Sequence, residues 1–170
     1  MKKMNKLFTA AVIALAFSFS ANAQATATAT ATATIVTPIS ITKNTDMNFG
    51  NISVQAGTGG TVVLAPAGTR TRTAGVTLPA VTGPVTAATF TVLGSGTYTY
   101  AITLPTTATL THSGLVETMT ASAFTSTPSG TGTLAAGTQD IAVGATLTVA
   151  AGQLPGVYVS SNFDVTVNYN

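Results

Sequence analysis

Glycine and proline recur at short intervals from residue 57 to residue 156, and this spacing limits what the chain can fold into. The interruptions include Gly57, Gly59, Gly60, Pro66, Gly68, Gly75, Pro79, Gly83, Pro84, Gly94, Gly96, Pro105, Gly114, Pro128, Gly130, Gly132, Gly137, Gly144, Gly152, Pro155 and Gly156. They leave little room for a helix of ten or more residues, since both residue types interrupt helices. The intervening segments are rich in threonine, valine and isoleucine, which favour half-buried strands. Many short strands between regular turn signals predict an all-β sandwich or barrel.

Nine strands are predicted, at residues 35–42, 60–65, 72–78, 86–93, 97–104, 107–111, 117–125, 140–149 and 156–168, and in several of them apolar and polar residues alternate. Alternation is clearest at the end of the chain. There Phe163, Val165, Val167 and Tyr169 share one face of an extended chain, while Asp164 and Thr166 lie on the other. A hairpin is also predicted, joining residues 90–93 to residues 98–104 through Gly94-Ser95-Gly96.

An outer-membrane barrel is the alternative architecture. Such barrels need lipid-facing apolar residues at every second position and aromatic girdles at both interfaces. The chain has no tryptophan, and aromatic residues make up 6% of it. The sandwich is therefore the favoured architecture.

The first 23 residues have the three parts of a secretory signal peptide. Lys2, Lys3 and Lys6 precede an apolar run at residues 7–19, and Ala21-Asn22-Ala23 forms a small-x-small cleavage site. The apolar run is shorter than the ~20 residues of a spanning helix. We therefore expect cleavage between Ala23 and Gln24, no transmembrane anchor afterwards, and an exported protein of the periplasm, the cell surface or the medium.

Removal of the signal changes the charge of the chain. Three basic residues then remain, which are Lys43, Arg70 and Arg72. The four acidic residues are Asp46, Glu117, Asp140 and Asp164, so the formal net charge is −1. No basic cluster is left to contact nucleic-acid phosphates. So few charges protect a surface poorly against association, although threonine and serine can also keep it hydrated. The chain has no cysteine, so burial and strand pairing must stabilise the fold.

No constellation of residues points to a reaction. His112 is the only histidine, and with no cysteine the usual zinc sites are excluded. It lies in a sequence typical of a strand end and turn, and we expect it to be exposed. The four acidic residues are scattered, with no spacing that indicates a carboxylate pair. We expect no catalytic, cofactor-binding or metal-binding residues, and a protein that is not an enzyme.

Residues 25–34 are five copies of Ala-Thr. In an extended chain the alanines share one face and the threonines the other. Two interpretations stay open. The segment is either a low-complexity linker or part of a strand that is exchanged between molecules.

Several segments in order resemble a secreted bacterial family catalogued only as a domain of unknown function. They are residues 39–41, 47–52, 59–62, 88–92, 100–105, 143–147, 156–158 and 163–169. The closing Gly156-Val157-Tyr158 with the alternating valines that follow is more distantly similar to spore-coat-U and chaperone–usher pilin subunits. That resemblance implies an immunoglobulin-like antiparallel β-sandwich over residues 35–170, following a signal peptide at 1–23 and an arm at 24–34.

The resemblance also implies assembly by strand addition, in which the N-terminal segment of one subunit fills a neighbour's sandwich. The candidate donor residues are Ile35, Thr37, Ile39 and Ile41, which share one face of an extended strand. We therefore expect a non-enzymatic, pilin-like or surface-associated structural subunit whose partners are copies of itself or related subunits. The alternative is a self-complete, monomeric secreted module that binds a glycan or a protein.

Overall fold

The computed structural model describes residues 24–170, and the predicted signal peptide, with Ala23, lies outside the described residues. The chain divides between Thr34 and Ile35 into two units. Residues 24–34 are exposed and lie outside every strand. In the described part of the chain, no helix is long and apolar enough to cross a membrane.

Strands make up the regular structure of residues 35–170, as the short Thr/Val/Ile runs predict, and no helix occurs there. In chain order the strands are β1 (Ser40–Thr45), β2 (Ser53–Val54), β3 (Gly60–Leu64), β4 (Arg70–Arg72), β5 (Val76–Thr77), β6 (Ala88–Leu93), β7 (Thr99–Thr103), β8 (Thr107–His112), β9 (Thr118–Thr127), β10 (Thr131–Thr133), β11 (Thr138–Val149), β12 (Tyr158–Ser160) and β13 (Thr166–Tyr169). All of their ladders are antiparallel. The expected all-β antiparallel sandwich is confirmed.

The large sheet has the strand order β1-β6-β11-β9-β8-β12, and β3 and β4 extend it beside β11. The long strand β11 organises this sheet, because its first half pairs with β6 and its second half with β3. A smaller sheet has the order β10-β7-β13, and β2 pairs with β5.

Two apolar clusters form the core. The first contains Ala88, Phe90, Val92, Tyr100, Leu134, Ile141, Val143, Val165 and Val167, contributed by both the large sheet and the β10-β7-β13 sheet. The second contains Phe49, Val62, Leu64, Val76, Ala121, Ala145, Leu147 and Val149, between the large sheet and the β2–β5 pair. In β3, β6, β11 and β13 alternate residues reach a cluster, which is the period-2 pattern of a half-buried strand.

For the last predicted strand, the prediction of which residues face the core is confirmed, but its predicted length is wrong. Val165 and Val167 are buried and Phe163 and Tyr169 half-buried, while the intervening residues are exposed. The single strand expected at 156–168 is two strands, because the chain leaves the large sheet after β12 and joins the small sheet at β13. The strand expected at 72–78 is likewise divided between β4 and β5.

The predicted hairpin through Gly94-Ser95-Gly96 is wrong. Strand β6 pairs with β1 and β11, whereas β7 pairs with β10 and β13, so the connection passes from one sheet to the other. The reason is the direction in which the apolar side chains on either side of this connection point. Val92 and Tyr100 both belong to the first cluster and approach it from opposite layers.

Candidate strand-addition site

The N-terminal segment enters the sandwich at β1. Ile39 and Ile41 are half-buried and pack against the first apolar cluster. Thr37 is exposed, and Ile35 is 98% exposed. Of the four candidate donor residues, two therefore contact the core of their own chain and two face solvent. Pro38 precedes the first ladder residue, a position where its missing N–H costs no strand hydrogen bond.

Tyr169 ties this segment to the last strand. Its hydroxyl donates a hydrogen bond to the carbonyl oxygen of Thr37 at 2.8 Å and accepts one from the backbone N–H of Ser95 at 2.7 Å. The ring lies against that of Tyr98, with centroids 5.6 Å apart. A Cβ at Gly94 would collide with the Tyr169 hydroxyl, so glycine is needed for this close approach.

The two sheets meet at this position without a shared ladder. Strand β1 pairs only with β6, and β13 pairs only with β7. The two strands nevertheless contact each other. Each therefore presents one edge without a strand partner in the described chain, and unpaired edges are templates for the addition of another strand.

Two features modify the free edge of β1. The register with β6 shifts between Lys43 and Thr45, which marks a bulge at Asn44. Lys43 also forms an exposed ion pair with Asp46, with 2.6 Å between Nζ and Oδ1. Bulges and lysines are common ways of limiting pairing at sheet edges. The bulge also separates the segment that carries Ile39 and Ile41 from the rest of the strand.

The arginines lie on β4, at another edge of the large sheet. Arg70 donates to the carbonyl oxygens of Phe49 and Asn51, the latter at 3.1 Å. Arg72 donates to the carbonyl oxygen of Val76 at 3.0 Å. Both guanidinium groups thus bind backbone carbonyls, an arrangement that favours an edge-protecting role over an anion site.

At the opposite end of the large sheet, β12 pairs with β8 around His112. The expectation of an exposed histidine is wrong, because His112 is half-buried. Its Nδ1 accepts from the N–H of Gly114 at 3.0 Å, and its Nε2 lies 3.1 Å from the carbonyl oxygen of Pro155. The ring of Tyr158 meets the imidazole at a right angle, with centroids 5.0 Å apart. Gly156 lies against the imidazole so closely that a Cβ there would collide with it.

An open cleft of about 510 Å³ lies where the chain leaves β12 for β13. It is lined by Thr103, Leu104, Pro105, Thr107, Ala108, Thr109, Ser161, Asn162, Phe163, Asp164 and Thr166. Five of the eleven side chains carry a hydroxyl, one is a carboxamide and one is a carboxylate. The cleft opens because the β8–β12 ladder ends at Leu110 and Ser160, so that Thr107–Thr109 have no strand on that side.

The titratable residues do not gather into a reaction centre. Among residues 24–170, no group of three or more His, Asp or Glu side chains could hold a metal ion. Asp46 pairs with Lys43, and Asp140 accepts from the hydroxyl of Thr91 at 2.6 Å. Tyr100 is fully buried, and burial raises the pKa of its phenol; its hydroxyl donates to Gln139 Oε1 at 2.7 Å.

A family model described as a domain of unknown function (DUF4402) matches residues 39–169. The chain belongs to this family. The family region begins at Ile39, the first side chain packed on the core, and ends at Tyr169, the residue bonded to Thr37. It therefore leaves out Ile35, Thr37 and the Ala-Thr arm. No curated protein matches the chain.

Sequence reasoning missed two arrangements. The Gly156–His112–Tyr158 packing joins residues more than 40 positions apart, and only the Gly-x-Tyr pattern, which is common in β proteins, pointed to the region. The exposed face of β12 was also missed. Its signal is the uninterrupted apolar run Val157-Tyr158-Val159, in which both faces of a strand are apolar.

Proposed function

We propose that the chain is a non-enzymatic, exported structural protein, a pilin-like or surface-associated subunit that assembles by strand addition. The observation that carries the proposal is the contact between β1 and β13, which lie at the junction of two sheets and each have an edge without a strand partner among residues 24–170. A segment exchanged at this junction gains a ladder and an apolar cluster at the same time.

The donor in this proposal is the segment that contains Ile39 and Ile41. Within its own chain this segment is held by two half-buried isoleucines, the ladder to β6 and the Tyr169–Thr37 hydrogen bond. All of these contacts can be reproduced with the same segment of a neighbouring subunit. Exchange of identical elements has a low energetic cost for that reason. The bulge at Asn44 provides a place where the ladder can be interrupted.

Ile35 and the Ala-Thr arm fit the same role. Ile35 is almost fully exposed, although a large apolar side chain gains free energy when it is buried. The extended arm provides a flexible connection to a neighbouring subunit. Export, predicted from residues 1–23, would bring the chain to a compartment where surface polymers are built.

A labelled peptide of residues 24–45 tests the proposal. Incubated with the full mature chain, it should be incorporated stably and run with the protein on a native gel. The control peptide, with Ile39→Asp and Ile41→Asp, should not be incorporated. In parallel, material sheared from the cell surface and electrophoresed without boiling should give a ladder. No incorporation together with a purely monomeric sheared product would contradict strand addition.

A second candidate function is a self-complete secreted module that binds a neutral glycan. The cleft beside β13 favours it, since Asn162, Asp164 and several hydroxyls converge there and none of these side chains has a hydrogen-bond partner among the described residues. Carboxylates, carboxamides and hydroxyls can bind pairs of sugar hydroxyls. Glycan-array binding that is lost in Asp164→Ala and kept in Asp46→Ala would support this function. If the chain bound no glycan on the array, the result would contradict this function.

A further inference from the structure

Strand β12 ends the large sheet with an edge that no described strand covers. It pairs with β8 alone, through Tyr158 with His112, Val159 with Thr111 and Ser160 with Leu110. An uncovered edge presents backbone donors and acceptors in a row. The hydrogen bonds between β12 and β8 determine to which side each of these backbone groups points.

The backbone groups that point away from β8 are those of Tyr158 and Ser160. The N–H of Ser113 donates to the carbonyl oxygen of Val157 at 2.9 Å, so Val157 and Val159 direct their backbone groups toward β8. Alternate residues of an antiparallel strand direct these groups to opposite sides. The N–H and C=O groups of Tyr158 and Ser160 are therefore available at the free edge.

The side chains on the outer face of β12 are apolar and exposed. Val157 is 65% and Val159 60% exposed. Leu115 and Val116 are also exposed, in the β8–β9 turn that is bonded to Val157 through Ser113, as is Leu154 in the loop before β12. Half of the exposed large apolar residues in the described chain thus lie in this corner, and an exposed apolar patch on a strand edge is a typical association surface.

Charge distinguishes this edge from the other free edges of the large sheet. A two-fold axis pairs a strand edge with a copy that carries the same charges, so an edge with charges of one sign would repel itself. Strand β1 carries Lys43, and β4 carries Arg70 and Arg72. Strand β12 carries no charged residue. It is therefore the edge suited to pairing with a second copy of the same chain.

We propose that β12 is a homodimerisation edge, pairing antiparallel with β12 of a second copy about a two-fold axis at Val159. In this register Tyr158 of each copy exchanges both backbone hydrogen bonds with Ser160 of the other, so the free groups of both residues are satisfied. The two Val159 side chains form a non-hydrogen-bonded cross-strand pair, with Cα atoms about 4.5 Å apart. The two large sheets become one continuous sheet.

This interface goes beyond strand addition and does not use the N-terminal segment. Strands β1 and β12 lie at opposite ends of the strand order of the large sheet. A subunit could therefore use both contacts at once, one along a polymer and one between neighbouring polymers. The two proposals can also fail separately.

A single cysteine tests the register, because the chain has no cysteine of its own. A Cα separation of about 4.5 Å lies within the range that a disulfide bridges. Under mild oxidation, Val159→Cys in the full mature chain should form a disulfide-linked dimer at high yield. The matched control is Val63→Cys, an exposed valine on a strand paired on both sides. Dimer yields no higher for Val159→Cys than for Val63→Cys would overturn the proposal.

A charge at the axis tests the same interface without a covalent bond. In sedimentation equilibrium the mature chain should dimerise, and Val159→Lys should weaken the dimer at least tenfold because two lysines oppose each other. Val63→Lys should leave dimerisation unchanged, and circular dichroism should confirm that both variants are folded. A monomeric parent chain, or equal dimerisation of both variants, would overturn the proposal. Incorporation of the 24–45 peptide should be the same in Val159→Lys as in the parent, which separates this test from that of strand addition.

Discussion

The hydroxyl of Tyr169 donates a hydrogen bond to the carbonyl oxygen of Thr37, joining residues 132 positions apart at 2.8 Å. The bond connects the last strand of the small sheet to the segment that leads into the first strand of the large sheet. It is formed at the junction where the two sheets have no shared ladder. The same bond holds the candidate donor segment within its own chain, so it opposes release of that segment to a neighbour.

Removing this hydroxyl should loosen the N-terminal segment. Tyr169→Phe loses the bonds to Thr37 and Ser95, and we expect the free energy of unfolding to fall by about 1–2 kcal/mol, measured by chemical denaturation. Incorporation of the labelled 24–45 peptide should become faster. Tyr98→Phe is the matched control, since its ring lies beside Tyr169 and its hydroxyl has no hydrogen-bond partner among the described residues. Equal effects of the two substitutions would contradict this role of the hydroxyl.

The isoleucines of the N-terminal segment should differ in their effect on stability. Ile41→Ser removes a half-buried side chain from the first cluster and should cost about 1 kcal/mol, whereas Ile35→Ser changes an exposed one and should leave unfolding unchanged. Thermal denaturation of both variants checks this. Under strand addition, Ile35→Ser should still reduce the ladder of sheared surface material. Destabilisation by Ile35→Ser would show that this side chain already packs within its own subunit.

Gly156 should be required by the ring of His112. In Gly156→Ala the positive φ of this residue would be strained and the new Cβ would also meet the imidazole, and overpacking of this kind costs about 1–3 kcal/mol. The double variant Gly156→Ala, His112→Ala should be less destabilised than the sum of its parts, because the second change removes the obstacle. Gly57→Ala is the control, since its Cβ would meet nothing within 4 Å. Simple additivity in the denaturation data would contradict the close contact.

Tyr100 should make the fold sensitive to alkaline pH. Burial raises the pKa of its phenol above that in the unfolded chain, so its contribution to stability is complete below about pH 10 and is lost as the pH rises through the folded-state pKa. Tyr100→Phe should be less stable at neutral pH by about 1 kcal/mol, because Gln139 loses the phenol hydrogen bond. The loss of stability above pH 10 should be smaller in this variant. Denaturation curves at increasing pH give the stability of each protein. An equal loss of stability above about pH 10 in Tyr100→Phe and in the parent chain would contradict this assignment.

The difference between predicted and observed strands has one physical cause. Alternation of apolar residues is a local property with a period of two, so the facing of Val165, Val167 and Tyr169 could be predicted from their order alone. Pairing partners are chosen over long separations. The residues at 94–96 have the composition of a hairpin turn, yet they cross between layers because Val92 and Tyr100 approach one core from opposite sides.

The order of the residues is enough to predict that the chain is all-β, which residues of its last strand face the core, and that it belongs with a family of unknown function. The three-dimensional arrangement is needed to know which strand edges stay unpaired among residues 24–170, that Ile39 and Ile41 pack within their own chain, and that Gly156 lies against His112. The strand pattern is set by each residue and its near neighbours. Edges and contacts of this kind depend on how distant strands are ordered in a sheet, which no local pattern encodes.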